Sequence, residues 1–389
     1  MAACPEPYAH EGAAGGRFPC RPSRRYLVTG GLGYAGAWVT SRLAASGHEV
    51  FVLSRGSDTP ELKPNPEPDQ PADGQSVGRP CTPGGHNDPF SRAPEERQAD
   101  FSSASGEQRP ALPYTLVQAD LAGQSPTELA GLLPERLDAV AHAASFNESF
   151  VPDYGQKALA VNALGTRNLL EALVLQGRRL ERPLPLLVYF STFHVYGASL
   201  GHIMESSPVS PRNDYALTHL FGEEYCRMFA RTHGLAHIVA RLSNGYGAPK
   251  TAASTKWYLL LNDLCKSAFE QGEIILRSDP SIARDFVWLG DVAAVVEALL
   301  GRPDLAGRVF NVSSGAALSL GEVAKKVTAG ATRFLGKPIP LHQERPGTPD
   351  TKGAPFLHVD NTAVRAALNV AFHDRMDEEI SHLLGLLVG

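Results

Sequence analysis

The stretch TGGLGYAG, Thr29 to Gly36, decides how the rest of the chain is read. It follows RYLVT (25–29), a short apolar run that reads as a buried strand. It leads into AGAWVTSRLAASG (35–47), which reads as a helix stopped by Gly47. HEVFVLSR (48–55) then reads as a second strand. Strand, glycine-rich turn, helix and strand at this spacing make a βαβ unit. Gly30, Gly33 and Gly36, with an extra Gly31, permit a tight turn, a close approach of backbone to a pyrophosphate and close helix–strand packing. The helix N-terminus offers unpaired N–H groups to phosphate, so the turn including Tyr34 and Ala35 is expected to cradle a dinucleotide.

Alternation continues along the chain. YTLVQADL (114–121), LDAVAHAAS (137–145), PLLVYFST (185–192) and AHIVARLS (236–243) read as strands. Helical patterns at 125–133, 155–177 and 214–234 separate them. This predicts an α/β fold of Rossmann type, a doubly wound parallel sheet over residues 24–245. Residues 1–23 read as a flexible tail. Residues 56–113, crowded with Pro, Gly, Ser and charge, read as a disordered insertion. Past Tyr246 the pattern turns mixed, which predicts a smaller α/β substrate lobe from 246–283 and 303–389. The chain is expected to return to the first domain at about 284–302.

Composition narrows the function. Of 389 residues, 43% are hydrophobic, and the net charge is −5, so no nucleic-acid partner is expected. No run of about 18 apolar residues stands out, so no membrane span is expected. The N-terminus lacks an apolar signal core. Five cysteines (4, 20, 81, 226 and 265), widely spaced and without a C-x-x-C, fit a reducing cytoplasm. Neither a disulfide framework nor a metal site is expected from them.

The end of the second strand bears on the cofactor. An acidic residue there would accept from a ribose hydroxyl and favour NAD. The chain has Ser54 and Arg55 instead, and arginine suits a 2′-phosphate, so NADP is expected ahead of NAD. Asp120 has two readings: a contact to adenine, or a plain loop aspartate. Thr192 ends a strand at the edge where open α/β sheets bind ligands. Tyr215 begins the next helix, and a hydroxyl with a phenol can move a proton alongside a hydride.

These pieces together resemble the extended short-chain dehydrogenase/reductases of the nucleotide-sugar epimerase/dehydratase type. The motifs TGGLGYAG, AHAAS, VNALGT, FSTFHVYG, DYALTH, ARLSNGYG, ARDFVWLGDVA, FNVSSGAALSL and ERPGTPD follow in family order. The resemblance implies that Thr192 bonds the reacting oxygen and that Tyr215 is the acid/base. It places Asn162 in support of the site and Leu121, His142, Ala143 and Ala144 along the cofactor. Ser145, Phe193, His194, Asn244, Arg284 and Arg345 fall at substrate positions, the last three beside a nucleotide or diphosphate. For Arg284, pairing with Asp285 or Asp291 is the competing role. A homodimer through two long helices per subunit is also implied.

Two departures stand out. His219 occupies the place of the family's lysine, which binds the nicotinamide ribose and lowers the tyrosine pKa. A full charge at about 4 Å and an effective dielectric of about 20 is worth about 4 kcal/mol, or roughly three pKa units. His219 is therefore read as a partial substitute, with a drifted or inactive site as the alternative. Phe193 and His194 stand where dehydratases carry an acidic pair, which leaves epimerase or ketoreductase ahead of dehydratase. Oxidation of a non-sugar alcohol and a non-catalytic NADP-binding sensor or scaffold are the other readings.

Overall fold

The computed structural model describes residues 23–56, 113–198, 200–251, 256–344 and 357–388. All of them belong to one continuous unit. Most of the tail, nearly all of the insertion and Arg345 lie outside the described residues.

The first strand, β1 (Arg25–Thr29), runs through the glycine turn into α1 (Gly36–Ala45) and β2 (Glu49–Ser54). β3 (Thr115–Gln118) leads to α2 (Pro126–Leu132), where Ser125 and Glu128 form a reciprocal capping box. β4 (Ala139–His142) is followed by a continuous helical rod: α3 (Tyr154–Ala158), a π-helical stretch (Leu159–Gly165) and α4 (Thr166–Leu180). Next come β5 (Leu186–Thr192), a short β6 (Gly201–Ile203), α5 (Asp214–His233) and β7 (His237–Leu242). Asn213 caps α5 by accepting from the Ala216 N–H, and Gly234 ends it in the left-handed region.

The large sheet has seven strands. Six are β3-β2-β1-β4-β5-β7 in spatial order, all parallel. The order reverses between β1 and β4, which opens the ligand crevice of such sheets at that point. β1, β4 and β5 are apolar throughout their middles because helices cover both faces. On one face, α2, α4 and α5 bury Leu129, Leu169, Leu173 and Phe229 against Leu27, Val140 and Leu187. The rod Tyr154–Leu180 is long and apolar enough by composition to cross a membrane, contrary to the reading of the sequence. More than half of its apolar window is buried within the protein.

The remaining elements build most of the second lobe and close the first domain. They are β8 (Asn244–Tyr246), α6 (Leu260–Glu270), β9 (Ile274–Leu276), β10 (Ala283–Trp288) and α7 (Leu289–Leu300). β11 (Val309–Val312), β12 (Ala317–Ser319), α8 (Leu320–Leu335), β13 (Leu341–Gln343) and β14 (Leu357–Val359) follow. The chain ends in α9 (Thr362–Leu368) and α10 (Met376–Val388). α6, α8 and α10 pack Leu264, Val327 and Leu383 into a separate core.

Two segments sit differently from the sequence reading. The seventh strand of the large sheet is β11, which pairs parallel with β7. Residues 309–312 thus complete the first domain rather than the substrate lobe. β10 was expected to return to the first domain, yet it pairs with β8 and β12 in a small sheet. The return is made by α7, which packs on α1 and across β4 and β5.

Candidate active site

The glycine turn is shaped by contacts. Gly30 has φ +66°, and a Cβ there would meet the backbone of Ala144 at 2.7 Å. A Cβ on Gly36 would run into the Gly30 carbonyl, so α1 can lie against the turn only because residue 36 is glycine. Gly33 is exposed and has only the Gly30 carbonyl near its Cβ position. Helix α1 begins without a side-chain cap at Ala35 and without an acidic residue in its first turn. Its N-terminal dipole is thus not satisfied by a carboxylate of its own, which fits a phosphate group. Tyr34 was read as a cofactor contact. Its hydroxyl donates to the Gly247 carbonyl at 2.6 Å, and Thr251 donates to the Leu32 carbonyl at 3.0 Å, so residues 247–251 lie over the turn.

At the next strand ends, Ser54 is half-buried and Arg55 is exposed. Arg55 has no acidic partner among the described residues. Asp120 accepts from the Ala122 N–H at 3.0 Å, so one of its oxygens closes its own turn. Leu121 is buried in the core.

β4 ends in a clamp. His142 is buried, with Nδ1 at 2.5 Å from the Thr29 hydroxyl and Nε2 at 2.9 Å from that of Thr166. Burial and the nearby His219 depress its pKa to about 3. Both ring nitrogens are thus engaged by hydroxyls inside the protein. The backbone of Ala143 and Ala144 is tied to Thr29 and faces Gly30. Asn162 lies on the π-helical stretch and pins the next loop. Its Oδ1 accepts from the Phe146 N–H at 2.6 Å, and its Nδ2 donates to the Phe146 carbonyl and the Thr218 hydroxyl. Such π-segments often mark functional positions.

Thr192 closes β5, and its hydroxyl accepts from the His194 N–H at 3.3 Å. Burial raises the Tyr215 phenol to about 12, and the nearness of the Thr192 hydroxyl opposes that rise. The rings of Tyr215 and His219 meet edge to face, with centroids 4.6 Å apart. His219 is itself buried, at 3.0 Å from the Ser145 hydroxyl through Nε2 and 3.2 Å from the Tyr189 hydroxyl through Nδ1. Burial depresses it to about 4. His219 is therefore neutral at pH 7 and supplies no positive charge to Tyr215. The partial electrostatic substitution anticipated from the sequence is absent from this geometry.

Beneath His219 lies a network that the sequence reading missed. Glu223, fully buried, accepts from Arg241 at 2.7 and 2.8 Å, from Arg227 at 2.9 Å and from the Ser191 hydroxyl at 2.6 Å. These partners hold its carboxyl below the usual range against the cost of burial. The Arg241 guanidinium stacks on Tyr196 at 4.7 Å, and Tyr196 donates to Asn311 on β11 at 2.7 Å. The i, i+4 spacing of Tyr215, His219 and Glu223 was the one available signal.

On the substrate side the outcome is mixed. Phe193 was assigned to the pocket, but its side chain packs into a core cluster with Ile203, Leu357 and Val359. His194 faces outward, 6.1 Å from the Tyr215 ring. Crowding by neighbouring protein atoms and the Arg284 charge push its pKa below the ordinary imidazole value, although the residue is exposed. Asp285 is taken by Ser243, Ser314 and the Gly315 N–H, and Asp291 by His373. Arg284 has no carboxylate partner among the described residues, so the pairing role weighed for it is not realised. Asn244 donates to the Asp285 carbonyl at 2.8 Å, joining β8 to β10. Tyr258 donates to the Asn147 carbonyl at 2.9 Å, and Lys256 pairs with Glu148 at 3.1 Å, so the two lobes touch at the cleft mouth. A separate hollow of about 480 Å³, between residues 135–138 and 173–185, opens at the N-terminal ends of β4 and β5, away from Tyr215.

The sequence pattern of the NAD dependent epimerase/dehydratase family matches residues 26–313. The chain belongs to this family. It is an extended short-chain dehydrogenase/reductase, and its family consists of NAD(P)-dependent enzymes. This family member is 26% identical over 272 residues to YtcB of Bacillus subtilis, named an uncharacterised UDP-glucose epimerase. That match covers 67% of this chain and 79% of YtcB. It is 32% identical over 203 residues to the GDP-6-deoxy-D-mannose reductase of Pseudomonas aeruginosa, covering 49% of this chain and 62% of the reductase. The structure of MoeE5 in complex with UDP-glucose and NAD matches with a TM-score of 0.64 at 20% identity, covering 94% and 98% of the two chains. That likeness establishes the shared fold.

Proposed function

We propose that this family member moves hydride and proton at a hydroxyl- or carbonyl-bearing carbon of a nucleotide-linked sugar, with Tyr215 as acid/base. The Tyr215 phenol beside the Thr192 hydroxyl, at the C-terminal end of β5, carries the proposal. A nicotinamide held at the glycine turn and the ends of β4 and β5 would supply or accept the hydride. Thr192 orients the reacting oxygen, and Tyr215 gives or takes its proton. Asn162 holds the 145–147 loop against α5. Arg284 is a guanidinium suited to a diphosphate oxygen.

The protonation state favours one direction. With its pKa raised to about 12, Tyr215 keeps its proton at pH 7. It is equipped to protonate an oxygen as hydride arrives, and poorly equipped to take a proton first. Reduction draws on that proton directly, whereas epimerisation, which begins with oxidation, requires Tyr215 to shed it first. Phe193 in the core and a neutral His194 argue against the dehydratase reading. The test is NADPH consumption with nucleotide-linked keto-sugars, set beside interconversion of nucleotide-linked sugar epimers. Loss of either activity in Tyr215→Phe is expected. Full activity in that variant would refute the acid/base role.

A second reading, a cofactor-binding protein without turnover, draws on the neutral His219. It predicts cofactor carried through native purification, with no turnover of any keto-sugar.

For the cofactor we propose NADP, because β2 ends in Ser54 and exposed Arg55 without a carboxylate. Tighter binding of NADP than NAD, with the preference lost in Arg55→Ala, is the expected result. We also propose a homodimer. Leu159, Leu164, Leu217 and Phe221 are each about two-fifths exposed on the adjoining π-stretch and α5, an apolar face suited to a second copy. Phe221→Lys is expected to halve the mass measured by light scattering.

A further inference from the structure

A cluster of ligand-type side chains lies outside the proposed active site. β6 and β14 form a two-stranded parallel ribbon in which His202 is the register partner of His358. Alternate side chains of a strand face opposite sides. Ile203, Leu357 and Val359 turn inward onto Val195 and Tyr196. His202 and His358, with Asp360 just past the strand, occupy the other side. The His202 Nε2 is 2.9 Å from Asp360 Oδ2, and the two imidazole rings have centroids 4.9 Å apart. One nitrogen or oxygen from each of the three residues falls within a group no wider than 4.8 Å.

We propose that His202, His358 and Asp360 form a binding site for a divalent transition-metal ion of the zinc class.

Three further contacts prepare the ligands. His358 Nδ1 lies 3.0 Å from the Gly315 carbonyl. A carbonyl can only accept, so this nitrogen carries a proton, and Nε2 is the ring atom that would serve as the ligand. Metal-binding histidines are held in this tautomer by the same kind of outer bond. Asp360 Oδ1 accepts from the Thr362 N–H at 2.7 Å at the start of α9, and the Asp360 N–H donates to the Ile203 carbonyl at 2.9 Å. That fixes the carboxylate with Oδ2 toward His202.

A His–Asp ion pair alone does not account for the arrangement. It needs only His202 and Asp360, whereas the register brings a second imidazole to the same place. Two imidazoles this close can share one cation. Two imidazoles and a carboxylate suit zinc, with water in a fourth position. Ligand atoms around tetrahedral zinc lie about 3.3 Å apart, from bonds of about 2.0–2.1 Å. Closing the cluster to that spacing needs a side-chain rotation, which His202, 46% exposed, is free to make. A bound ion would tie β6 to β14 on the outer face of the ribbon whose inner face supports residues 193–196.

The full chain, stripped with a chelator, would be titrated with Zn²⁺ against a chromogenic zinc indicator. One saturable site per chain is expected. His202→Ala and Asp360→Asn should each weaken it at least tenfold. Asp360→Asn keeps the oxygen that accepts from Thr362, so folding, followed by circular dichroism, is retained in that variant. Zn²⁺ should raise the melting temperature of the native chain and leave that of Asp360→Asn unmoved. Co²⁺ should give the visible absorption of a four-coordinate centre. Absence of saturable binding, or equal binding in His202→Ala/Asp360→Asn, would overturn the proposal and assign any bound zinc to other histidines.

Discussion

The Tyr189 hydroxyl, rising from the middle of β5, meets His219 at both its Nδ1, 3.2 Å away, and its backbone carbonyl, 3.3 Å away. It reaches α5 because residue 222 has no side chain: a Cβ there would overlap the Tyr189 phenol. The histidine is thereby held between Tyr189 and Ser145. This is a fitted seat for an imidazole, and it replaces the electrostatic role of a lysine with fixed hydrogen bonds.

Gly222→Ala tests that seat by the sign of its effect. Helix propensity alone predicts a gain of up to about 1 kcal/mol for alanine in mid-helix. Overpacking against Tyr189 predicts a loss of roughly 1–3 kcal/mol. A net loss in urea denaturation is expected.

Tyr215 governs the pH profile. Below its pKa of about 12 the ionised fraction grows about tenfold per pH unit. Oxidation of a sugar hydroxyl should therefore speed up with pH through the neutral range, while reduction stays level. Tyr215→Phe should cost roughly 10²–10⁴ in turnover in both directions. Stopped-flow assays of the two directions from pH 6 to 9 would show it.

Lysine at position 219 would place a fixed charge beside the phenol. Oxidation by His219→Lys should exceed that of the native protein at pH 7, and its pH profile should move down by up to roughly three units. An unmoved profile would mean that residue 219 does not couple to the phenol.

Acid should weaken the fold before the carboxylates titrate. His142 and His219 are buried, with pKa values depressed to about 3 and about 4. Unfolded, each takes up a proton near pH 6.5. Between those values the unfolded chain binds more protons, so stability falls as pH drops from about 6.5 toward 4. At pH 5 each histidine costs about 2 kcal/mol relative to neutral pH. His219→Asn should flatten the dependence of urea midpoint on pH.

Much of the fold was readable because its signals are local. Strand lengths, glycines and the 3.6-residue period marked the alternation and set Thr192 and Tyr215 at adjacent element ends. What was missed depends on distant partners. VFNV (309–312) is too short to declare its sheet, and only pairing with β7 places it. Phe193 was assigned by position, but packing turned it into a core, and the hydroxyls on both sides of His142 come from other elements. Glu223 carries no local signal of burial, since its buried pairing with Arg241 joins residues 18 apart on different elements. The π-helical stretch leaves no distinct period, so the local widening that carries Asn162 had no signature.

The placement of β11 reaches into how the protein is made. On the ribosome, six strands of the large sheet emerge by residue 242, but the seventh is not synthesised until residues 309–312. Until then β7 waits with one apolar edge bare, the condition under which strands pair with the wrong chain. Arg241 likewise waits for the Asn311 that anchors its Tyr196 stacking partner. Nascent chains stalled before residue 309 should aggregate more readily than chains carried past residue 312, and a gene fragment ending after α7 should yield insoluble protein.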